Sequence, residues 1–193
     1  MVKATRLTKR YGDKRVLNRV DVEVDTGGFL LVTGPNGSGK TTLLRVLAGL
    51  DAPTSGQVLL PDRGTIGYLG HEPHVYRELT PLENLRLFGR LYRVPERAER
   101  IGMLLERFGL WHARNERAGS FSRGMQQRLS LCRALLHEPA LLVLDEPYSH
   151  LDADGVDLLD RELAELRPGA GFVVSTHDPE RVLPLASSRL AFA

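Results

Sequence analysis

Residues Gly34-Pro35-Asn36-Gly37-Ser38-Gly39-Lys40-Thr41 match G-x-x-x-x-G-K-[ST] at every fixed position, and they stand between an apolar run, Phe29 to Val32, and a helix-like run, Leu43 to Leu47. A strand that feeds a glycine-rich turn into a helix start aims several backbone N–H groups at one point, where the helix dipole also favours an anion. Side chains in the turn would keep the backbone away from its ligand, which is why glycines recur there. The pattern predicts a polyphosphate site in which Lys40 offers a point charge to the outer phosphates and the Thr41 hydroxyl holds Mg²⁺.

The chain of 193 residues is long enough for one substantial core, and its 26% charged and 42% apolar residues are ordinary for a globular protein. No uninterrupted apolar stretch reaches the length needed to cross a bilayer. The start, Met1-Val2-Lys3-Ala4-Thr5-Arg6, has no apolar segment of the secretory kind, so a cytosolic location is expected. The single cysteine, Cys132, excludes an internal disulfide, and its neighbours Leu131, Leu135 and Leu136 predict a buried helix position. Basic residues exceed acidic ones by 26 − 24 = 2 and are scattered rather than gathered into a stripe, so nucleic acid is not an expected partner.

Up to about residue 70 the sequence reads as short strands: Val20 to Val24 alternates with period two, and Val58 to Leu60 and Ile66 to Leu69 are apolar runs between turn residues. From about 80 to 135 the period becomes helical. Thr80-Pro81-Leu82-Glu83 carries a capping residue, a proline at the first helical position and a glutamate able to close a capping box. Leu82, Leu85, Phe88, Leu91 and Tyr92 are predicted to line one face of that helix, which ends at Val94-Pro95. A second helix turns Ile101, Leu104, Leu105 and Phe108 inward and stops at Gly109. Beyond it, Ala140 to Leu144 reads as a buried strand, Val156 to Leu166 as a helix, Phe172 to Ser175 as a strand, and Asp178-Pro179 as the start of another helix. Strand and helix in alternation predict an α/β fold with a parallel sheet, into which the helical stretch is inserted.

Leu141-Leu142-Val143-Leu144-Asp145-Glu146-Pro147 is an apolar strand that delivers two carboxylates at its carboxyl end, where ligands of open α/β sheets gather. With the phosphate loop, Asp145 is expected to bind Mg²⁺ directly or through water, and Glu146 to orient the water that attacks a γ-phosphoryl group.

Between these elements lies Phe121-Ser122-Arg123-Gly124-Met125-Gln126-Gln127-Arg128, and the joint order resembles the ATP-binding-cassette (ABC) ATPases. Their naming motif usually reads LSGGQ; here Ser122 and Gly124 are kept, while Arg123 and Met125 depart from it. Standing alone, Ser122 would be read as a helix cap. The resemblance covers nearly the whole chain. It implies an α/β fold of the P-loop NTPase (RecA-like) type, with an antiparallel β lobe and an inserted α-helical subdomain, forming one domain over 1–193. The core and β lobe would occupy 1–70 and 136–193, and the helical subdomain 71–135.

The resemblance also implies an ATP and Mg²⁺ site. Gly34, Pro35, Asn36, Gly37, Ser38, Gly39, Lys40, Thr41 and Thr42 would cradle the nucleotide, with metal at Thr41 and Asp145. Tyr11, in Lys9-Arg10-Tyr11-Gly12, resembles the aromatic that stacks on adenine, an interaction of about 1–3 kcal/mol per base; a lone tyrosine is otherwise packing. Glu146 and His177, in Ser175-Thr176-His177-Asp178, would be catalytic. Ser149-His150-Leu151-Asp152 resembles the loop through which two subunits sense each other, with Asp152 near the nucleotide. Ser122 and Gly124 would meet the γ-phosphate held by a second copy, so that two chains close head to tail around ATP.

His71 falls where most members carry a glutamine, in Tyr68-Leu69-Gly70-His71-Glu72-Pro73. It reaches a Mg²⁺-bound water, bridges the lobe hinge, or is a solvated loop histidine. The Gly-His pair followed by proline, with Glu78-Leu79-Thr80-Pro81-Leu82-Glu83-Asn84-Leu85 after it, resembles the ATPase subunit of haem exporters used in cytochrome c maturation, as does the short length. An integral membrane transporter subunit is the implied partner, docking in the cleft between helical lobe and core near His71 to Asn84. The chain would then lie peripherally on the cytoplasmic face of the cell membrane. An exporter of another cargo, a soluble ABC-type ATPase and a phosphotransferase with the same loop are the alternatives.

Overall fold

The computed structural model describes residues 1–192. In chain order its strands and helices are β1 (Val2–Tyr11), β2 (Lys14–Val24), β3 (Phe29–Thr33), α1 (Lys40–Leu47), β4 (Ser55–Leu59), β5 (Ile66–Leu69), α2 (Pro81–Leu91), α3 (Arg97–Arg107), α4 (Arg123–Leu135), β6 (Leu141–Asp145), α5 (Ala153–Leu166), β7 (Gly171–Ser175), α6 (Pro179–Val182) and β8 (Ser188–Ala191). They group into two compact units. One holds Met1–His71, Ala140–Pro147 and the chain from Leu166 onward; the other holds Glu72–Pro139 and Tyr148–Glu165. The second unit thus includes most of α5, a helix the sequence reading assigns to the core.

The first unit contains two sheets. Five strands in the order β5-β6-β7-β3-β8 pair in parallel, and three in the order β2-β1-β4 pair antiparallel. The central strands β3, β6 and β7 are buried at every position, so they read as continuous apolar runs instead of alternating. Phe29 and Phe172 stack within this sheet, with ring centroids 5.4 Å apart. The register pairs Ser175 with both Val32 and Asp145, which brings the carboxyl ends of β3, β6 and β7 to one edge. The residues directly after those strands, Gly34, Glu146 and Thr176, are therefore collected there.

Strand β1 escapes the period-two reading because it is bulged. Val2 and Ala4 point into the core, but the pairing register shifts between Ala4 and Leu7, where Arg6 has φ +49°. On the facing strand Gly56 has φ +93°, and a Cβ there would lie 2.5 Å from the Arg6 carbonyl oxygen. Strand β8, also absent from the sequence reading, is short and mostly exposed.

In the second unit α2, α3 and α4 pack on one another. Helix α2 carries the expected capping box: the Glu83 N–H donates to Thr80 Oγ1 at 3.2 Å, and the Thr80 N–H donates to Glu83 Oε2 at 2.8 Å. Its buried face differs from the prediction. Leu91 is 65% exposed, Leu82, Phe88 and Tyr92 are half-buried, and the fully buried positions include the polar Asn84. The Asn84 amide binds the backbone of the preceding loop, accepting from the Tyr76 N–H at 2.7 Å and donating to the Tyr76 and Thr80 carbonyls at 2.9 and 3.0 Å. Apolar periodicity cannot reveal a core place held by an asparagine that satisfies its own hydrogen bonds.

Helix α3 buries Ile101, Leu104, Leu105 and Phe108 as predicted, and Gly109 follows with φ +67°. Cys132 is fully buried, its Sγ 3.6 Å from the Leu104 carbonyl, and burial pushes its thiol pKa far up, so it is chemically inert. The helix opened by Asp178-Pro179 lasts one turn, because Pro184 cannot donate to a continuing helix. Phe172→Ala is expected to destabilise the protein by about 3–5 kcal/mol, read from the urea midpoint, because it opens a cavity against Phe29 in the buried sheet.

Candidate functional site

The phosphate loop joins β3 to α1 and depends on three positive backbone angles: Gly34, Gly37 and Gly39 have φ of +144°, +78° and +111°. At Gly39 a Cβ would lie 3.0 Å from the Val16 carbonyl, and at Gly34 it would lie 2.8 Å from Phe192. The loop is therefore glycine at these places for conformation and for space. Lys40 is 7% exposed, and its ammonium donates to the carbonyls of Gly34 at 2.7 Å and Pro35 at 3.0 Å, which holds it over the loop. The Ser38 Oγ is buried and has no hydrogen-bond partner among the described residues.

At the end of β6 the Asp145 carboxylate is 2% exposed. Its Oδ2 accepts from Thr41 Oγ1 at 2.6 Å and its Oδ1 from the Ser175 hydroxyl. Among the described residues no ion pair reaches it. A buried carboxylate with hydroxyl donors alone is costly unless a cation is close, so Asp145 and Thr41 form a donor set that suits a hard divalent ion. Among the described residues no three acidic, histidine or cysteine side chains cluster as a cage. Two oxygen donors are the share that Mg²⁺, if bound here, would take from a protein, with water and phosphate oxygens completing its shell.

Glu146 follows in a left-handed conformation, φ +52°, which costs a residue with a side chain about 1–2 kcal/mol. Its N–H donates to the Ser175 carbonyl and hydroxyl, both at 3.1 Å. Its carboxylate accepts from the His177 backbone N–H at 3.0 Å, and the His177 Nε2 lies 3.2 Å from Oε1. Ser175 thus binds both acidic residues at once. No motif assigns Ser175 a task; a small hydroxyl at the inner end of a buried strand, two residues before the histidine, is the signal.

One cavity of about 530 Å³ is lined by Tyr11, Lys14, Val16, Asn36, Gly37, Gly39, Lys40, Thr41, Thr42, His71, Asp145, Glu146 and His177. Most of the nucleotide-site residues expected from the sequence therefore share one wall, His71 among them. Lys14 and Val16 join it from β2, unmarked by any motif.

The remaining candidates lie in the second unit. Ser122 caps α4, its Oγ accepting from the Met125 N–H at 3.2 Å. Gly124 has no room for a Cβ, which would lie 2.8 Å from the His150 carbonyl. Asp152 accepts from the Gly155 N–H at 2.9 Å and from Arg128, and these hold its carboxyl below the usual range. Each has a job within its own unit.

Ser175→Ala should cost about 1–3 kcal/mol of stability, measured by urea unfolding, because Asp145 loses a buried donor.

Residues 17–149 match the ABC transporter family. YxlF, an uncharacterised ABC transporter ATP-binding protein of Bacillus subtilis, is 42% identical over 193 residues, spanning 94% of this chain and 65% of its own length. The chain spans 59% of YdbJ, a second such B. subtilis protein. The cytochrome c biogenesis ATP-binding export protein CcmA of Pseudomonas syringae is 40% identical over 184 residues, 89% of this chain and 86% of that one. A bacitracin transport protein of Bacillus licheniformis has 37% identity over 86% of this chain and 57% of its own. Among solved structures, a dimeric ATP-binding cassette in a post-hydrolysis state with ADP and Pi superposes with a TM-score of 0.89 at 30% identity, covering 100% of this chain and 94% of the other. The glycine loop, the buried aspartate and the order of motifs agree with these likenesses: the chain has the ABC ATPase fold and belongs to the ABC transporter ATP-binding family.

Proposed function

We propose that this chain is the ATP-hydrolysing motor subunit of an ABC transporter, acting as a head-to-tail pair of copies that close on ATP. The observation that carries the reading is the hydrogen-bonded line Thr41, Asp145, Ser175, Glu146 and His177 beside a glycine-rich loop with three positive φ angles. The loop amides and the start of α1 take phosphate oxygens. An ammonium has three donors; Lys40 uses two on Gly34 and Pro35 and keeps the third for the outer phosphates. Mg²⁺, held by Thr41 and Asp145 when bound, supplies neutralising charge to the phosphate oxygens. Glu146, held by the His177 backbone N–H, orients a water toward the γ-phosphorus, and His177 presents its imidazole to the same region. In this reading His71, on the cavity wall, hydrogen-bonds a water, and Tyr11 stacks on the base.

Ser122 and Gly124 would serve the nucleotide of the second copy, with Asp152 in the loop between copies. That a similar cassette with ADP and Pi is dimeric supports the pairing of two copies. ATP then acts as the link between copies, and its hydrolysis lets them part, a cycle that an integral membrane subunit converts into transport. That places the chain peripherally on the cytoplasmic face of the membrane; among the described residues no helix is long and apolar enough to cross one. Tyr76, 51% exposed, with half-buried Val75 and Leu79 beside it, suits the docking of such a subunit.

The haem exporters of cytochrome c maturation are the finer reading of cargo. Support comes from Gly70-His71, the Glu78 to Leu85 segment and the CcmA relative, of which 86% is covered. The similar bacitracin transport relative keeps another exported cargo as the second reading.

Glu146→Gln is expected to lower ATP turnover by about 100-fold or more while ATP still binds, and to sediment as a dimer only with ATP. A variant that hydrolyses ATP normally, or one that stays monomeric with ATP, contradicts the proposal.

A further inference from the structure

The Tyr11 hydroxyl is tied into a network outside the phosphate machinery. It donates to Asp51 Oδ2 at 3.0 Å. Asp51 is held in turn by Arg45 Nε at 2.9 Å. Arg45 belongs to α1, the helix that the phosphate loop opens. On the ring itself, the Lys9 ammonium lies 5.0 Å from the centroid and is anchored to the Ala52 carbonyl at 2.7 Å. The ring remains 49% exposed and forms part of the cavity wall with Lys14, Val16, Asn36 and Thr42.

An aromatic side chain at the end of an exposed strand would ordinarily sample several rotamers, and a ligand that stacks on it would have to freeze them. Here the far end of the ring is tethered and one face is covered by Lys9. Burial, followed by the Asp51 hydrogen bond, pushes the Tyr11 hydroxyl pKa up, which keeps its proton in place. The Arg45 guanidinium holds the Asp51 carboxyl below its usual range, which keeps it an acceptor.

We propose that Asp51, braced by Arg45, is a positioning residue that sets the plane of Tyr11 for a purine base and ties base recognition to the helix carrying the phosphate loop. The proposal rests on the nucleotide reading above. It separates two parts of the ligand: the network acts on the base, while the loop acts on the phosphates. Neither Asp51 nor Arg45 belongs to any of the motifs that carry the family resemblance.

The test compares Mg²⁺·ATP with inorganic tripolyphosphate, which has the phosphates and lacks the base, by titration calorimetry on the intact chain. Asp51→Ala and Tyr11→Phe are each expected to weaken ATP binding about fivefold, the worth of one hydrogen bond, with tripolyphosphate affinity unchanged. Because both remove the same link, the double variant should be no weaker than either single one. A purely structural role would weaken both ligands alike, and that result overturns the proposal. So does unchanged ATP affinity in Asp51→Ala, which leaves the nucleotide reading intact. Wild-type protein that binds neither ligand overturns the nucleotide reading and this proposal together.

Discussion

The buried carboxylate of Asp145 is the constraint around which the first unit is organised. It is reached by Thr41 from the phosphate loop, 104 residues away in the chain, and by Ser175 from the neighbouring strand. A parallel sheet makes this convergence possible, because it brings the carboxyl ends of β3, β6 and β7 to one edge in fixed register. Without a cation nearby, such burial of charge would be a net cost. The fold accepts that cost at the place where a metal-bearing polyphosphate would repay it.

A second cost is accepted one residue later. Glu146 keeps a left-handed backbone that glycine would adopt without penalty. The conformation lets its N–H turn to Ser175 while its carboxylate faces His177. Strain of this kind persists only where the surroundings determine it from several directions, and here both ends of the residue are held.

Local signals in the sequence were the readable ones. The phosphate loop, the capping box at Thr80 and Glu83, the apolar face of α3 and the strand ending in Asp145-Glu146 each lie within a few residues, so composition and period reveal them. What was not legible depends on distance in the chain or on broken periodicity. Ser175 gains its task only through sheet register, and Asp51 only by meeting Tyr11 across 40 residues. The bulge at Arg6 hides β1 from a period-two reading. Leu91 fits the helical stripe of α2 and yet lies on its exposed side, because Asn84 and Gly89 take the buried places. Ser122, Gly124 and Asp152 matched by motif alone, and in the structure each also meets a local need: a cap, a close backbone approach and a helix start.

The most direct measurement is a crystal structure with Mn²⁺ in place of Mg²⁺ and a nonhydrolysable ATP analogue, with the metal located by its anomalous signal. The account predicts Mn²⁺ at about 2.0–2.3 Å from Thr41 Oγ1, with Asp145 binding it directly or through one water and Lys40 on the outer phosphates. Metal bound elsewhere, with Thr41 and Asp145 still bonded only to each other, would contradict it.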